Sequence, residues 1–145
     1  MLIQPTVREC IQVADVNFLD IPNLKCLIAV GNAAKYSTFR SANGTAGYQV
    51  TTGKTLKFRA ARVVVVTAAA SGGVVLGYGD TDVNIAAGAA PTNPVYLGGS
   101  SFVRLQNLSV EGQFSMPVRF DVPAGKYPFI FSDGLCAVFI FGYEE

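Results

Sequence analysis

The sequence predicts an all-β fold, an antiparallel β-sandwich of short strands. Three observations carry this. Apolar runs rich in Val, Phe and Tyr are strand-length and are punctuated by Gly, Pro, Asn and Asp. Phe114, Met116, Val118, Phe120 and Val122 alternate strictly with Ser115, Pro117, Arg119 and Asp121, the pattern of a half-buried strand. No stretch repeats with the 3.6-residue period of a long amphipathic helix.

Taken in order, residues 1–22 are irregular and bracketed by Pro5 and Pro22, and they read as an extended N-terminal arm before a single domain over 23–145. Leu24 to Val30 is an apolar run ending at Gly31, and residues 31–46 read as a long loop of Asn, Ala, Ser, Thr and Gly. Thr55 to Thr67 holds Val63-Val64-Val65-Val66, a β-branched run expected to be buried on both faces. A turn through Gly72-Gly73 returns the chain as Val74 to Asp80. Residues 81–94 form a second loop, closed by Pro91 and Pro94. Val95-Tyr96-Leu97 and Phe102-Val103-Arg104-Leu105 are short strands. Pro117 places its strand at a sheet edge or a bulge, because proline donates no ladder hydrogen bond. Asp133-Gly134, between two apolar runs, signals a hairpin. The expected strands are 24–30, 55–67, 73–80, 102–106, 113–122, 126–132 and 135–143.

The chain echoes itself. Tyr48-Gln49-Val50-Thr51-Thr52-Gly53-Lys54 matches Phe120-Asp121-Val122-Pro123-Ala124-Gly125-Lys126, and the two copies lie about half a chain apart. Each is followed by a strand, a Gly-containing turn and a second strand. Two such halves suit a jelly roll, which is built of two Greek keys. A common tight turn used twice fits equally well.

Composition bears on partners. Charged residues make up 14% of the chain and apolar ones 50%, against roughly a quarter charged in ordinary soluble domains. A sandwich of this size has too few charges to solvate all its surface. Burial against other subunits is the expectation, although the many Gly, Ala, Ser and Thr account for part of the deficit. Net charge is +1, which gives no reason to expect nucleic acid or an anionic membrane as partner. No run reaches the roughly 18 apolar residues of a membrane helix, and the N-terminus has no secretory-signal pattern. Cys10, Cys26 and Cys136 are odd in number and widely spaced, so buried free thiols in a reducing compartment are expected.

Chemistry-bearing constellations are sparse. The chain has no histidine, so no Ser-His-Asp or Cys-His site can form within it. Most acidic residues, among them Asp80, Asp82, Asp133, Glu144 and Glu145, fall at turns or ends. The sharpest metal candidate is Asp80-Thr81-Asp82-Val83-Asn84, whose alternating oxygens suit a hard cation. Ile85 and Pro91 then break the EF-hand pattern, so Asp80, Asp82 and Asn84 are expected to be turn residues with no bound ion. Gly53-Lys54-Thr55 resembles the end of a phosphate loop, but Tyr48 stands where its first glycine belongs. Lys57, Arg59 and Arg62 are the one basic cluster, with Arg62 expected on the face opposite the other two. Tyr48, Tyr78, Tyr96 and Tyr127 could line a sugar-binding surface, although core or interface is the commoner fate of such tyrosines. No catalytic residue and no cofactor is expected.

The arm, the paired Val-x-x-Gly-Lys turns, the strand Val74-Val75-Leu76-Gly77-Tyr78-Gly79-Asp80 and the Phe/Val-rich closing segment resemble small virion proteins of tailed bacteriophages. In particular they resemble the jelly-roll capsid cement, or decoration, proteins. The resemblance implies a non-enzymatic homotrimer that clamps neighbouring major capsid subunits on a virion assembled in the host cytoplasm. A receptor- or carbohydrate-binding domain of a tail or fibre fits the same features, and a carboxylate-dependent hydrolase is a remote third. The arm carries Leu2, Ile3, Val7, Ile11, Val13 and Phe18 with no period that would dock them on their own sheet. They are expected to meet a neighbouring subunit or the capsid surface, because exposing several such side chains costs about 1.5–3 kcal/mol each.

Overall fold

The computed structural model describes residues 24–41, 44–69, 72–83, 88–98 and 104–145. These residues form ten strands and no helix: β1 (Lys25–Gly31), β2 (Lys35–Thr38), β3 (Arg40–Ser41), β4 (Leu56–Val65), β5 (Gly73–Gly79), β6 (Val95–Tyr96), β7 (Arg104–Asn107), β8 (Gly112–Val122), β9 (Tyr127–Ser132) and β10 (Cys136–Glu144). They make two antiparallel sheets packed face to face. The first has the order β3-β1-β10-β4-β8. The second has the order β2-β9-β5-β6, with β7 pairing the same edge of β5 as β6 does, at the other end.

Alternation along each strand builds the core. Leu27 and Ala29 of β1, Val63 and Val65 of β4 and Val138 and Ile140 of β10 point inward from the first sheet. Val74 and Leu76 of β5 and Ile130 of β9 meet them from the second. One end is filled by rings: Phe39 lies 5.9 Å from Phe58, Phe58 6.5 Å from Phe120, and Phe120 5.7 Å from Tyr78.

The two echoed segments adopt the same turn and sit against each other. The Lys54 N–H bonds the Thr51 carbonyl at 3.0 Å, and the Lys126 N–H bonds the Pro123 carbonyl at 3.3 Å. Gly53 has φ +78 and Gly125 φ +76, the left-handed third position that a type II turn requires. The turns then bond each other, Val50 N–H to Lys126 O at 3.0 Å and Gly125 N–H to Val50 O at 2.8 Å. The strands that follow interlock as well. The first copy supplies β4 and β5, the second β9 and β10, and β4 pairs β10 while β5 pairs β9. The centre of each sheet therefore holds one strand from each half.

Several expectations change. Asp133-Gly134 does not close a hairpin: β9 lies in the second sheet and β10 in the first, so this turn crosses between layers. Gly134 lacks the positive φ of a two-residue hairpin turn. The Ser132 hydroxyl bonds Gly134 instead, and the Asp133 carboxylate accepts the Gly73 N–H at 3.0 Å. The stretch 31–46 is not simply a loop, because Lys35–Thr38 pairs with β9 and Arg40–Ser41 with β1. The valine run is buried on one face only: Val63 and Val65 are buried, Val64 faces outward half-buried, and Val66 is exposed.

Pro117 behaves as its chemistry demands. β8 is an edge strand, and its register with β4 shifts between Phe58 and Ala60, opposite Pro117–Phe120. Over the same stretch β10 spans Phe141–Gly142, β4 spans Phe58–Ala60 and β8 spans Pro117–Phe120. Each successive strand gains a residue, which fans and curls the sheet as bulges do.

Candidate functional site

That irregularity decides which side chains share the outer surface of the first sheet. Leu56 and Phe58 point inward before it, and Ala61, Val63 and Val65 point inward after it. The phase slips by one residue, so Arg62 turns outward alongside Lys57 and Arg59. The expectation that Arg62 lies on the opposite face is corrected. A bulge shifts side-chain parity, and single-strand alternation cannot show it.

The basic residues are held by neighbouring carboxylates. Lys57 Nζ lies 3.6 Å from Asp121 and 3.4 Å from Glu145, and Arg59 lies 3.3 Å from Asp121 and stacks over the Tyr143 ring. Arg62 bonds the Gln113 side chain. The Lys57 ammonium is pushed up, first by its bond to Glu145 and then by the charge of Asp121. This is a mixed-charge ladder across β4 and β8.

Beside the ladder lies an apolar stripe. On β1, Cys26, Ile28 and Val30 face outward. Across the β1–β10 ladder they stand opposite Phe141, Phe139 and Ala137. Val64 of β4 extends the stripe opposite Ala137. Cys26 is exposed, which corrects the expectation of a buried thiol there. Cys136 is buried, and both thiols are free. Burial pushes the Cys136 thiol up against the opposing bonds from Ser132 and Gly31. Cys10 lies outside the described residues, as do the arm residues Leu2, Ile3, Val7, Ile11, Val13 and Phe18.

The candidate cation loop is occupied by protein contacts. Asp80 pairs with the Lys126 ammonium and accepts the Asn93 amide at 2.8 Å, and the Lys126 bond leads the effects that hold its carboxyl below the usual range. Asp82 accepts the Gly47 N–H at 2.9 Å. Asn84 lies outside the described residues. Among the described residues no three His, Cys, Asp or Glu side chains come together.

The four tyrosines do not share a surface. Tyr48 and Tyr78 pack against the core, and the Tyr48 hydroxyl bonds Glu144. Tyr96 meets Tyr36 hydroxyl to hydroxyl at 3.0 Å, beside Phe129, on the outer side of the second sheet. Burial, then the Tyr36 bond, raises the Tyr96 phenol above its ordinary range. Tyr127 is half-buried on β9. Residues 83 and 88 also close the edge of β2: the Thr38 N–H bonds Val83 O at 3.0 Å and the Tyr36 N–H bonds Gly88 O at 3.2 Å.

Compared with known proteins, the chain matches no family model, no curated protein and no solved structure. Its geometry therefore has to carry the functional reading. Sequence reasoning missed the apolar stripe because its members come from β1, β10 and β4, more than a hundred residues apart in the chain for β1 and β10. The available signal was the uninterrupted apolar run Cys26 to Val30, which is too apolar for a strand with one solvated face.

Proposed function

We propose that this chain is a non-enzymatic structural protein, a capsid cement protein of a tailed-phage virion with a jelly-roll fold. It works as a homotrimer that binds across neighbouring major capsid subunits. The observation that carries this reading is the outward apolar stripe of β1 and β10 on a charge-poor sandwich, a surface suited to subunit contact. Two further features support it. With the two-residue β3 set aside, the orders β1-β10-β4-β8 and β2-β9-β5 with β6 and β7 support the jelly-roll part of the reading, since two interleaved Greek keys would produce such orders. Asp80, Asp121 and Glu145 are engaged in ion pairs with Lys126, Arg59 and Lys57, and among the described residues no three His, Cys, Asp or Glu side chains come together. A protein that binds the assembled shell and not its separated parts stabilises the shell by mass action. Three weak contacts on one trimer reinforce each other through effective concentration.

The test is co-sedimentation of the purified protein with undecorated shells from the virus that encodes it, followed by thermal disruption of those shells. Saturable binding that raises the disruption temperature is expected. Absence of binding overturns the reading. A second reading, a receptor- or carbohydrate-binding module of a tail or fibre, draws on the half-buried Tyr36, Phe131 and Tyr96 outside the second sheet, with Tyr36 and Phe131 centroids 4.7 Å apart. Specific retention of one glycan class on an array, abolished by Tyr36→Ala, would favour it.

A further inference from the structure

We infer that residues 47–51 form a strap across one end of the sandwich, and that acid releases this strap by discharging two carboxylates while both sheets stay paired. Residues 44–55 belong to no strand. The Gly47 N–H bonds the Asp82 carboxylate at 2.9 Å. The Thr51 N–H and the Tyr48 hydroxyl both bond the Glu144 carboxylate, at 3.0 Å and 2.5 Å. Between these two clasps the backbone is fixed to neutral acceptors, Tyr48 N–H to Phe39 O at 2.6 Å and Val50 N–H to Lys126 O at 3.0 Å. Asp82 follows β5 of the second sheet and Glu144 ends β10 of the first, so each sheet supplies one clasp. Val50 is the residue the strap holds down. It is 1% exposed and belongs to the same buried cluster as Phe39, Leu56 and Phe58, so lifting it opens this end of the core to water.

A hydrogen bond to an ionised carboxylate is roughly twice as strong as one to a neutral acceptor. Protonation therefore weakens both clasps at once. The sheet ladders pair backbone amides with backbone carbonyls, which do not titrate. The cations around the strap keep their charge in acid. Lys25 of β1 lies over the Tyr48 ring, 5.5 Å from its centroid, and its charge favours ionised Glu144. Lys57 holds Glu145, and Lys126 holds Asp80. Asp80 thus acts on the strap only through Lys126, whose carbonyl receives the Val50 N–H. Among the described residues no cation pairs with Asp82. Burial raises the Glu144 carboxyl, but the bonds from Thr51 and Tyr48 outweigh it and hold it below its ordinary value of 4.5. Its clasp is therefore closed above that value and lost as pH falls through the folded one. Segments outside the sheets open at lower free energy than core strands, so the strap goes first.

The device operates in the isolated chain and is independent of the shell-subunit reading. Its test is amide hydrogen exchange on the full chain, read residue by residue and corrected for the intrinsic pH dependence of exchange. At pH 3 the wild type is expected to lose about tenfold or more of its protection at Gly47, Val50 and Thr51. Val63 of β4 and Ile140 of β10 are expected to keep theirs, and return to pH 7 to restore the strap. The double variant Asp82→Asn, Glu144→Gln removes both charges without acid. At pH 7 it is expected to show the strap exchange that the wild type shows only at pH 3, with the sheets protected. A strap that stays protected at pH 3 overturns the inference. Loss of protection in strap and sheets together overturns it too, because the strap would then be no separate unit. So does a double variant that matches the wild type at pH 7, or one that unfolds.

Discussion

Glu144, the last residue of β10, accepts hydrogen bonds from the Tyr48 hydroxyl at 2.5 Å and from the Thr51 N–H at 3.0 Å. It thereby ties the first echoed turn to the end of the opposite half's last strand. Burial alone would raise the Glu144 carboxyl; the Thr51 N–H and the Tyr48 hydroxyl outweigh it and hold it below its ordinary value of 4.5. Because the folded value is depressed, this contribution is present above the unfolded value and is lost as pH falls through the folded one. Glu144→Gln is therefore expected to flatten the loss of stability below about pH 4.5, and Glu144→Ala to cost about 1–3 kcal/mol at neutral pH. Urea melts at pH 7 and pH 3.5 check both; parallel pH dependence in wild type and Glu144→Gln would refute the assignment.

The Asp80–Lys126 pair with Asn93 fixes the end of β5 against the second echoed turn. Both Asp80 and Asp82 are expected to act as turn fasteners without an ion. Chelator should leave the melting temperature unchanged, and Asp82→Asn should lower it slightly through the bond to Gly47. A fall of many degrees in chelator, reversed by calcium, would establish a cation site instead.

Two kinds of glycine are distinguishable by substitution. A Cβ on Gly31 would meet Ser132 Cβ at 2.6 Å and Cys136 Sγ at 2.7 Å, so Gly31→Ala should destabilise by about 1–3 kcal/mol through overpacking. Gly53 and Gly125 face open space, and their constraint is the positive φ alone. Gly125→Asn should cost little and Gly125→Val more, since a β-branched residue is strained there. Equal effects for Asn and Val at 125 would show that conformation is not what selects glycine.

Phe58 is fully buried between Phe39 and Phe120. Phe58→Ala should cost about 3–5 kcal/mol, enough to threaten the fold. Phe58→Leu should retain a cooperative melt at reduced midpoint. A loss under about 1 kcal/mol for Phe58→Ala would mean that this ring cluster is not a tightly packed part of the core.

The sequence by itself determined what is local. Alternation marked β8, the β-branched run marked β4, and proline chemistry put Pro117 on an edge strand at a register shift, because each depends on residues within a few positions of one another. The echo of Val50–Lys54 in Val122–Lys126 was legible too, since a left-handed third position selects glycine. Only the tertiary structure decided pairing. Asp133-Gly134 has the chemistry of a hairpin, but β10 finds its partners in β1 and β4, and the turn became a crossing between sheets. The short β2 and β3 exist because β9 and β1 offer them edges, not because their own residues demand strand. The parity slip in β4 moved Arg62 to the outer face, and the stripe formed only when β1 met β10. Strand propensity is written in neighbouring residues. Which edges meet, in what register, is set by burying one common core, and that sum runs over the whole chain.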